Sequence, residues 1–272
     1  MRILKATLGA IAAVTIVGSA FAADLAVKAP PPPPAPVWSW TGFYIGANGG
    51  WGWANSNTTA TTFQSTVTAI PVIPNQNFSQ NLDGAVFGAH LGYNWQVGPN
   101  WLIGVEGDFD GANINKSRAL IVADPLLGSG GTATDGFMVH SQIQWLASIR
   151  GRIGWTAGPN LFYFTGGGAW EQVNRNFLLS TDTAAGVFSE SAAGTFTTTK
   201  SGWVAGLGYE RMIAQNWIVR AEWLHYGFSG LGAVSLPISC GTLGVTATCG
   251  QTFAGGNNHT DVVRLGVSYK FF

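Results

Sequence analysis

Only 10% of the 272 residues are charged, and the 13 basic side chains equal the 13 acidic ones. A soluble domain carries about 25% charged residues, so an ordinary water-facing surface is excluded. There is no basic excess to hold nucleic acid.

The chain begins as a secretory leader. Arg2 and Lys5 supply a positive start, Leu8 to Val17 a short apolar core, and Ala20-Phe21-Ala22 a small-residue cleavage site. Residues 1–22 are therefore expected to be a cleaved signal peptide and the protein to be exported. The apolar run is short for a membrane helix, which needs about 20 residues, and Gly9, Gly18 and Ser19 weaken it further. Without Arg2 and Lys5 the mature chain keeps 11 of the 13 basic residues against 13 acidic ones, a net charge of −2. Residues 23–40 follow as a Pro-rich periplasmic segment. Its Ala29-Pro30-Pro31-Pro32-Pro33-Pro34-Ala35-Pro36 run is stiff polyproline, a spacer or a cell-wall contact.

Residues 41–272 divide into eight segments of alternating apolar and polar residues. These predict strands at Thr41–Trp53, Gly84–Val97, Trp101–Ala112, Val139–Thr156, Leu161–Val173, Ser201–Ile213, Trp217–Tyr226 and Asp261–Phe271. Each is long enough for a membrane-crossing strand of about 9–11 residues. Gly98-Pro99-Asn100, Gly158-Pro159-Asn160 and Ala214-Gln215-Asn216 read as tight turns. The other connections, 54–83, 113–138, 174–200 and 227–260, are long and rich in Thr, Ser, Ala, Gly and Asn. Short turns on one side and long loops on the other predict an all-β fold: an eight-stranded antiparallel transmembrane β-barrel with short periplasmic turns and four long extracellular loops. Closure removes the unpaired strand edges that lipid does not tolerate.

The alternation assigns the faces. Segment two turns Phe87, Leu91, Tyr93 and Trp95 one way and His90, Asn94 and Gln96 the other. Segment three sends Trp101, Ile103, Val105 and Phe109 out. Segment four sends Ile143, Trp145, Ala147, Ile149, Ile153 and Trp155 out, and segment five is ambiguous. Trp95, Trp101, Trp155 and Trp217 flank the turns, while Trp51, Trp53, Trp170, Trp203 and Trp223 lie toward the loops, as two interfacial girdles would. The inward set holds the acids Glu106, Asp108, Glu210 and Glu222 with the bases Arg150, Arg152, Arg220, Arg264 and Lys270. Four acids against five bases predict a lumen charge network, because unpaired buried charges cost several kcal/mol and an eight-strand barrel is just wide enough for side chains to fill. A solvated charged rim is the alternative.

Cys240 and Cys249 share one polar stretch and are expected to form a disulfide closing a small loop, two independent thiols being the alternative. The histidines are His90, His140, His225 and His259. His140 and Ser141 are neighbours on a strand, so they face opposite ways and make no base–nucleophile pair. His225-Tyr226 is the one pair with the residue types of a haem ligand set. No catalytic, cofactor or metal site is expected.

The chain ends on Val263-Arg264-Leu265-Gly266-Val267-Ser268-Tyr269-Lys270-Phe271-Phe272, with apolar residues at every second position up to Phe271. Together with Val37-Trp38-Ser39-Trp40-Thr41-Gly42-Phe43-Tyr44-Ile45-Gly46, the Pro-rich approach and Thr165-Gly166-Gly167, this ending resembles the small alphaproteobacterial outer-membrane β-barrel proteins. These are the RopB-like and outer membrane immunogenic protein group, similar in fold to OmpA and OmpX. The resemblance implies a Gram-negative outer-membrane protein without catalysis: a surface antigen, an envelope-stabilising protein or an adhesin-like protein. Its implied partners are outer-membrane lipid, lipopolysaccharide, external ligands meeting the loops, and the barrel-assembly machinery. That machinery would read Tyr269, Phe271 and Phe272, although the family usually ends on the Phe of Tyr-Lys-Phe and Phe272 falls on the opposite parity. The competing expectations are a narrow porin-like channel for small solutes and, behind it, a haem-binding or lipid-modifying barrel. Paired lumen charges argue against the channel.

Overall fold

The computed structural model describes residues 38–65, 76–124, 133–182, 189–230, 234–242, 245–256 and 258–271. Within these, the side chains at 58, 60–65, 76–78, 120–124, 133–137, 179–182, 189–193 and 234–254 are left aside. The expected signal peptide, nearly all of the Pro-rich segment and Phe272 lie outside the described residues.

The described chain forms strands β1 (Gly42–Ser65), β2 (Gln76–Gln96), β3 (Trp101–Asp124), β4 (Ala133–Ala157), β5 (Asn160–Asp182), β6 (Ser189–Met212), β7 (Trp217–Phe228), β8 (Val234–Thr242), β9 (Val245–Gly255) and β10 (Asn258–Phe271). Eight of them close a ring in the order β10-β7-β6-β5-β4-β3-β2-β1, and β1 pairs back onto β10. All pairings are antiparallel, from Phe43 opposite Phe271 at the β1–β10 seam to Met212 opposite Ile218 between β6 and β7. The closed ring leaves no unpaired edge in its membrane-crossing part, as the absence of water in hydrocarbon demands.

Two features depart from the sequence expectation. First, the strands are longer: β3 and β4 stay paired from Trp101–Trp155 out to Asp124–Ala133, and β5 and β6 out to Asp182–Ser189. Polar Thr-, Ser- and Ala-rich stretches that read as loop extend the ladders past the membrane. There the outer face meets water instead of acyl chains, so it no longer needs apolar residues at every second position. Second, the final long connection contains the β8–β9 hairpin, with β9 pairing antiparallel to the outer part of β1. The hairpin register places Cys240 opposite Ala247 and Cys249 opposite Ile238. The cysteine side chains lie outside the described ones, so the disulfide remains an expectation.

The turn asparagines act through their side chains. Asn100 Nδ2 donates to Thr156 O at 2.8 Å and Asn216 Nδ2 to Lys270 O at 2.7 Å, each tying a turn to a neighbouring strand. Gly158, at φ 58°, occupies the left-handed position of the second turn, where a Cβ is strained.

The parity of β2, β3, β6, β7 and β10 follows the sequence. Phe87, Ile149, Phe164 and Leu265 are each 66–69% exposed on the outside. Strand β4 requires a correction: Ile143 is buried inside the ring. A register shift between Ile143 and Trp145 makes Gln144 an extra residue against β5, so the parity reverses there. Strand β5 is also resolved. Leu161, Tyr163, Thr165, Ala169, Glu171, Val173 and Arg175 are buried, and the even residues between them face outward.

Candidate functional site: the filled lumen

The lumen is packed in layers. Nearest the short turns, the segment before β1 folds over the ring. Trp40 is fully buried, its Nε1 donates to Gly158 O at 3.1 Å, and its backbone N–H donates to Gln96 Oε1 at 3.2 Å. Leu102, Leu161, Tyr163, Met212 and Ile218 pack with it as a floor.

Above the floor the inward charges converge. Glu106, Asp108 and Asp110 come from β3, Arg150 and Arg152 from β4, Glu210 from β6, Arg220 and Glu222 from β7, and Arg264 from β10. Two-residue spacing on each strand is what points these side chains to the same face. Arg150 reaches Glu106 at 2.5 Å, Glu222 at 2.9 Å and Asp108 at 3.1 Å. Arg152 bridges Glu210 at 2.9 Å and Glu106 at 3.1 Å, and its guanidinium carbon lies 4.2 Å from the centre of the Tyr163 ring. Arg220 holds Glu106 at 2.6 Å and Glu210 at 2.7 Å. Arg264 contacts Asp110 at 2.6 Å, Glu222 at 2.7 Å and Asp108 at 3.2 Å. Tyr44 and Tyr163 donate to Glu106 and Glu222 at 2.6 and 3.0 Å, and Ser148 donates to Asp108 at 2.5 Å. All nine charged groups are buried. Glu106 thus accepts from three arginines and a tyrosine. Such multiply bonded carboxylates are the arrangement in which attraction offsets the loss of water.

The expected charge balance needs correcting. Lys270 stands apart near the short turns, its Nζ 3.4 Å from Thr41 O, and Asp110 joins the cluster through Arg264. The layer therefore holds five carboxylates and four guanidiniums. Asp110 shares the parity of Glu106 and Asp108, so the sequence carried its signal. Gly208 makes room for Tyr163 beneath the layer, since a Cβ there would stand 2.3 Å from the tyrosine ring.

An apolar belt including Leu82, Val86, Ile114, Leu146, Leu224 and Val262 closes the next level. Beyond Trp170 and Trp203, which mark the outer end of the hydrocarbon-facing band, a second polar group appears: Glu171, Lys200, Arg175, Ser56 and Asn258, all buried. Sequence reasoning missed this group, because Ser56, Arg175, Lys200 and Asn258 fall in stretches that read as loops and segment five gave Glu171 no clear parity. Lys200 Nζ lies 3.6 Å from Glu171 Oε1, and with the Asn258 amide turned to its satisfied orientation its oxygen accepts from Lys200 at 2.7 Å. Arg175 crosses from β5 to β1 and donates to Ser56 Oγ at 3.0 Å. Burial holds Lys200 down to about 8 and Arg175 down to about 10, because only Glu171 opposes it.

Of the four histidines only His225 and His259 meet. His90 is inside, 2.8 Å from Ser268 Oγ. His140 contacts Ser117 Oγ at 2.8 Å, while Ser141 is buried in the lumen. His225 is on the outside, 2.8 Å from Asp261 and stacked on His259, whereas Tyr226 is fully buried on the other face. The two therefore cannot hold one haem iron together. Among the described residues no group of three His, Cys, Asp or Glu could hold a metal ion. Tyr269 and Phe271 face outward beside each other, their ring centroids 5.0 Å apart.

A closed antiparallel ring with an apolar exterior, aromatic ends and a charged interior defines an outer-membrane β-barrel. The chain belongs to the family described as outer membrane protein beta-barrel domain, which it matches over residues 10–271. It is 30% identical over 203 residues to the 31 kDa outer-membrane immunogenic protein of Brucella melitensis, covering 72% of each chain, and equally to that of Brucella suis. Among solved structures it is similar to the attachment invasion locus protein Ail of Yersinia pestis. That likeness covers 85% of this chain and 99% of the other, at 11% identity and a TM-score of 0.34. The protein is accordingly a small Gram-negative outer-membrane barrel.

Proposed function

We propose that the protein is a structural and surface-interaction barrel of the outer membrane, with neither catalysis nor an open channel. The supporting observation is the ion layer: four arginines and five carboxylates from five strands occupy the lumen, with an apolar layer above and the Trp40 floor below. A solute would have to break several buried ion pairs at once, each costing several kcal/mol. The ring then serves to anchor in lipid and to carry strand extensions and loops outward, where external ligands and lipopolysaccharide would be met. Planar-bilayer recording of the refolded protein tests it: the baseline is expected to stay closed, and a stable, reproducible open level would establish the narrow channel instead.

A further inference from the structure

The two polar layers of the lumen differ in how well they are satisfied. In the lower layer each arginine meets at least two carboxylates. In the outer layer two cations, Arg175 and Lys200, face one acid, Glu171. Arg175 is only 4% exposed, and no carboxylate comes within ion-pair distance of it among the described residues. Among the described residues its one hydrogen bond goes to a neutral hydroxyl, Ser56 Oγ, and its Nε, like those of Arg150, Arg152 and Arg220, has no partner. A guanidinium presents five donors in a planar fork suited to carboxylate or phosphate. An unpaired buried cation is retained at a cost unless an anion joins it. The apolar belt lies below this layer, on its membrane side.

We propose that Arg175, assisted by Lys200, Ser56 and Asn258, is the binding site for a small oxyanion, a carboxylate or phosphate group, that enters the outer end of the barrel from the medium. The oxyanion takes the free guanidinium edge, while Lys200 supplies a second positive charge from β6. Glu171 sets the selectivity: it neutralises Lys200 in the empty site and repels an anion of high charge. The site lies above the belt, so its failure would leave the closed-lumen reading untouched.

The test uses the full mature chain refolded in detergent, with inorganic phosphate or acetate titrated against chloride at matched ionic strength. Binding is followed by the side-chain Nε resonance of Arg175 and by the unfolding midpoint. One saturable isotherm is expected, with a raised midpoint, and Arg175→Gln should abolish both. In chloride, Arg175→Gln should be at least as stable as the parent, because it removes a buried charge that no carboxylate among the described residues pairs with directly. Glu171→Gln should tighten the anion by about tenfold, the reverse of what loss of a purely structural ion pair would do. Response to phosphate alone points to a phosphate-bearing solute, response to acetate alone to a carboxylate, and response to both to any small oxyanion. The proposal is overturned if neither anion shifts the resonance, if the shift in midpoint survives in Arg175→Gln, or if that variant is markedly less stable in chloride.

Discussion

Arg264→Met is the sharpest probe of the ion layer. Arg264 is fully buried and is bonded to Glu222, Asp108 and Asp110. Methionine nearly fills its volume, so the cavity contribution is small and the electrostatic one dominates. The layer passes from five carboxylates against four guanidiniums to five against three. Removing one partner of a buried pair costs about 3–5 kcal/mol, and that range is the expected loss. Asp110 provides the internal control, because its ion pair is with Arg264 alone, whereas Asp108 keeps Arg150. Asp110→Asn by itself should cost under about 1 kcal/mol, since it brings the layer to four against four. In the Arg264→Met background it should restore more than about 1 kcal/mol, a coupling within the range seen for contacting groups. The assay is equilibrium urea unfolding in detergent micelles, read by tryptophan fluorescence and heat-modifiable gel migration, with the slope checked for constancy. A loss below about 1 kcal/mol for Arg264→Met, or strictly additive effects in the pair, would refute the view that these charges depend on one another.

Three further outcomes are expected. Leu265→Arg, on the hydrocarbon-facing surface, should cost about 2–4 kcal/mol in refolding into bilayers, whereas Leu178→Arg, beyond the Trp170 level on β5, should cost under about 1 kcal/mol; equal penalties would misplace the membrane band. Trp40→Ala removes a fully buried ring and its bond to Gly158 O, and a loss of about 3–5 kcal/mol in urea unfolding is expected, without conductance, because the ion layer still closes the lumen. Gly208→Val places a side chain against the Tyr163 ring and should cost about 1–3 kcal/mol by the same assay, with Tyr163→Ala in the same chain recovering part of it.

What the sequence made legible is what hydrocarbon enforces. Where one face meets acyl chains and the other a filled centre, period-two alternation is obligatory, and Trp203, Leu207, Tyr209 and Glu210 could be sorted by eye. Past the lipid boundary the rule lapses. The outer halves of β3 to β6 are held by backbone ladders that Thr, Ser and Ala satisfy as well as Val or Phe, and they read as loop. A single extra residue, Gln144, reversed the face of Ile143, and bulges leave no mark in an apolar pattern. The Gly166-Gly167-Gly168 run hid the parity of β5, and with it Glu171 and Arg175. The pairing of Arg175 with Ser56, 119 positions away, depends on ring closure and has no local signature.

The lengthened ladders have a consequence for encounter at the cell surface. Strand β5 continues from Trp170 to Asp182, and at about 3.3 Å per residue and a tilt of roughly 35–45° that stretch rises about 30 Å above the bilayer. The paired outer parts of β5 and β6 thus stand clear of the lipid surface. A large molecule approaching the membrane on this side therefore meets the paired outer strands before it meets lipid.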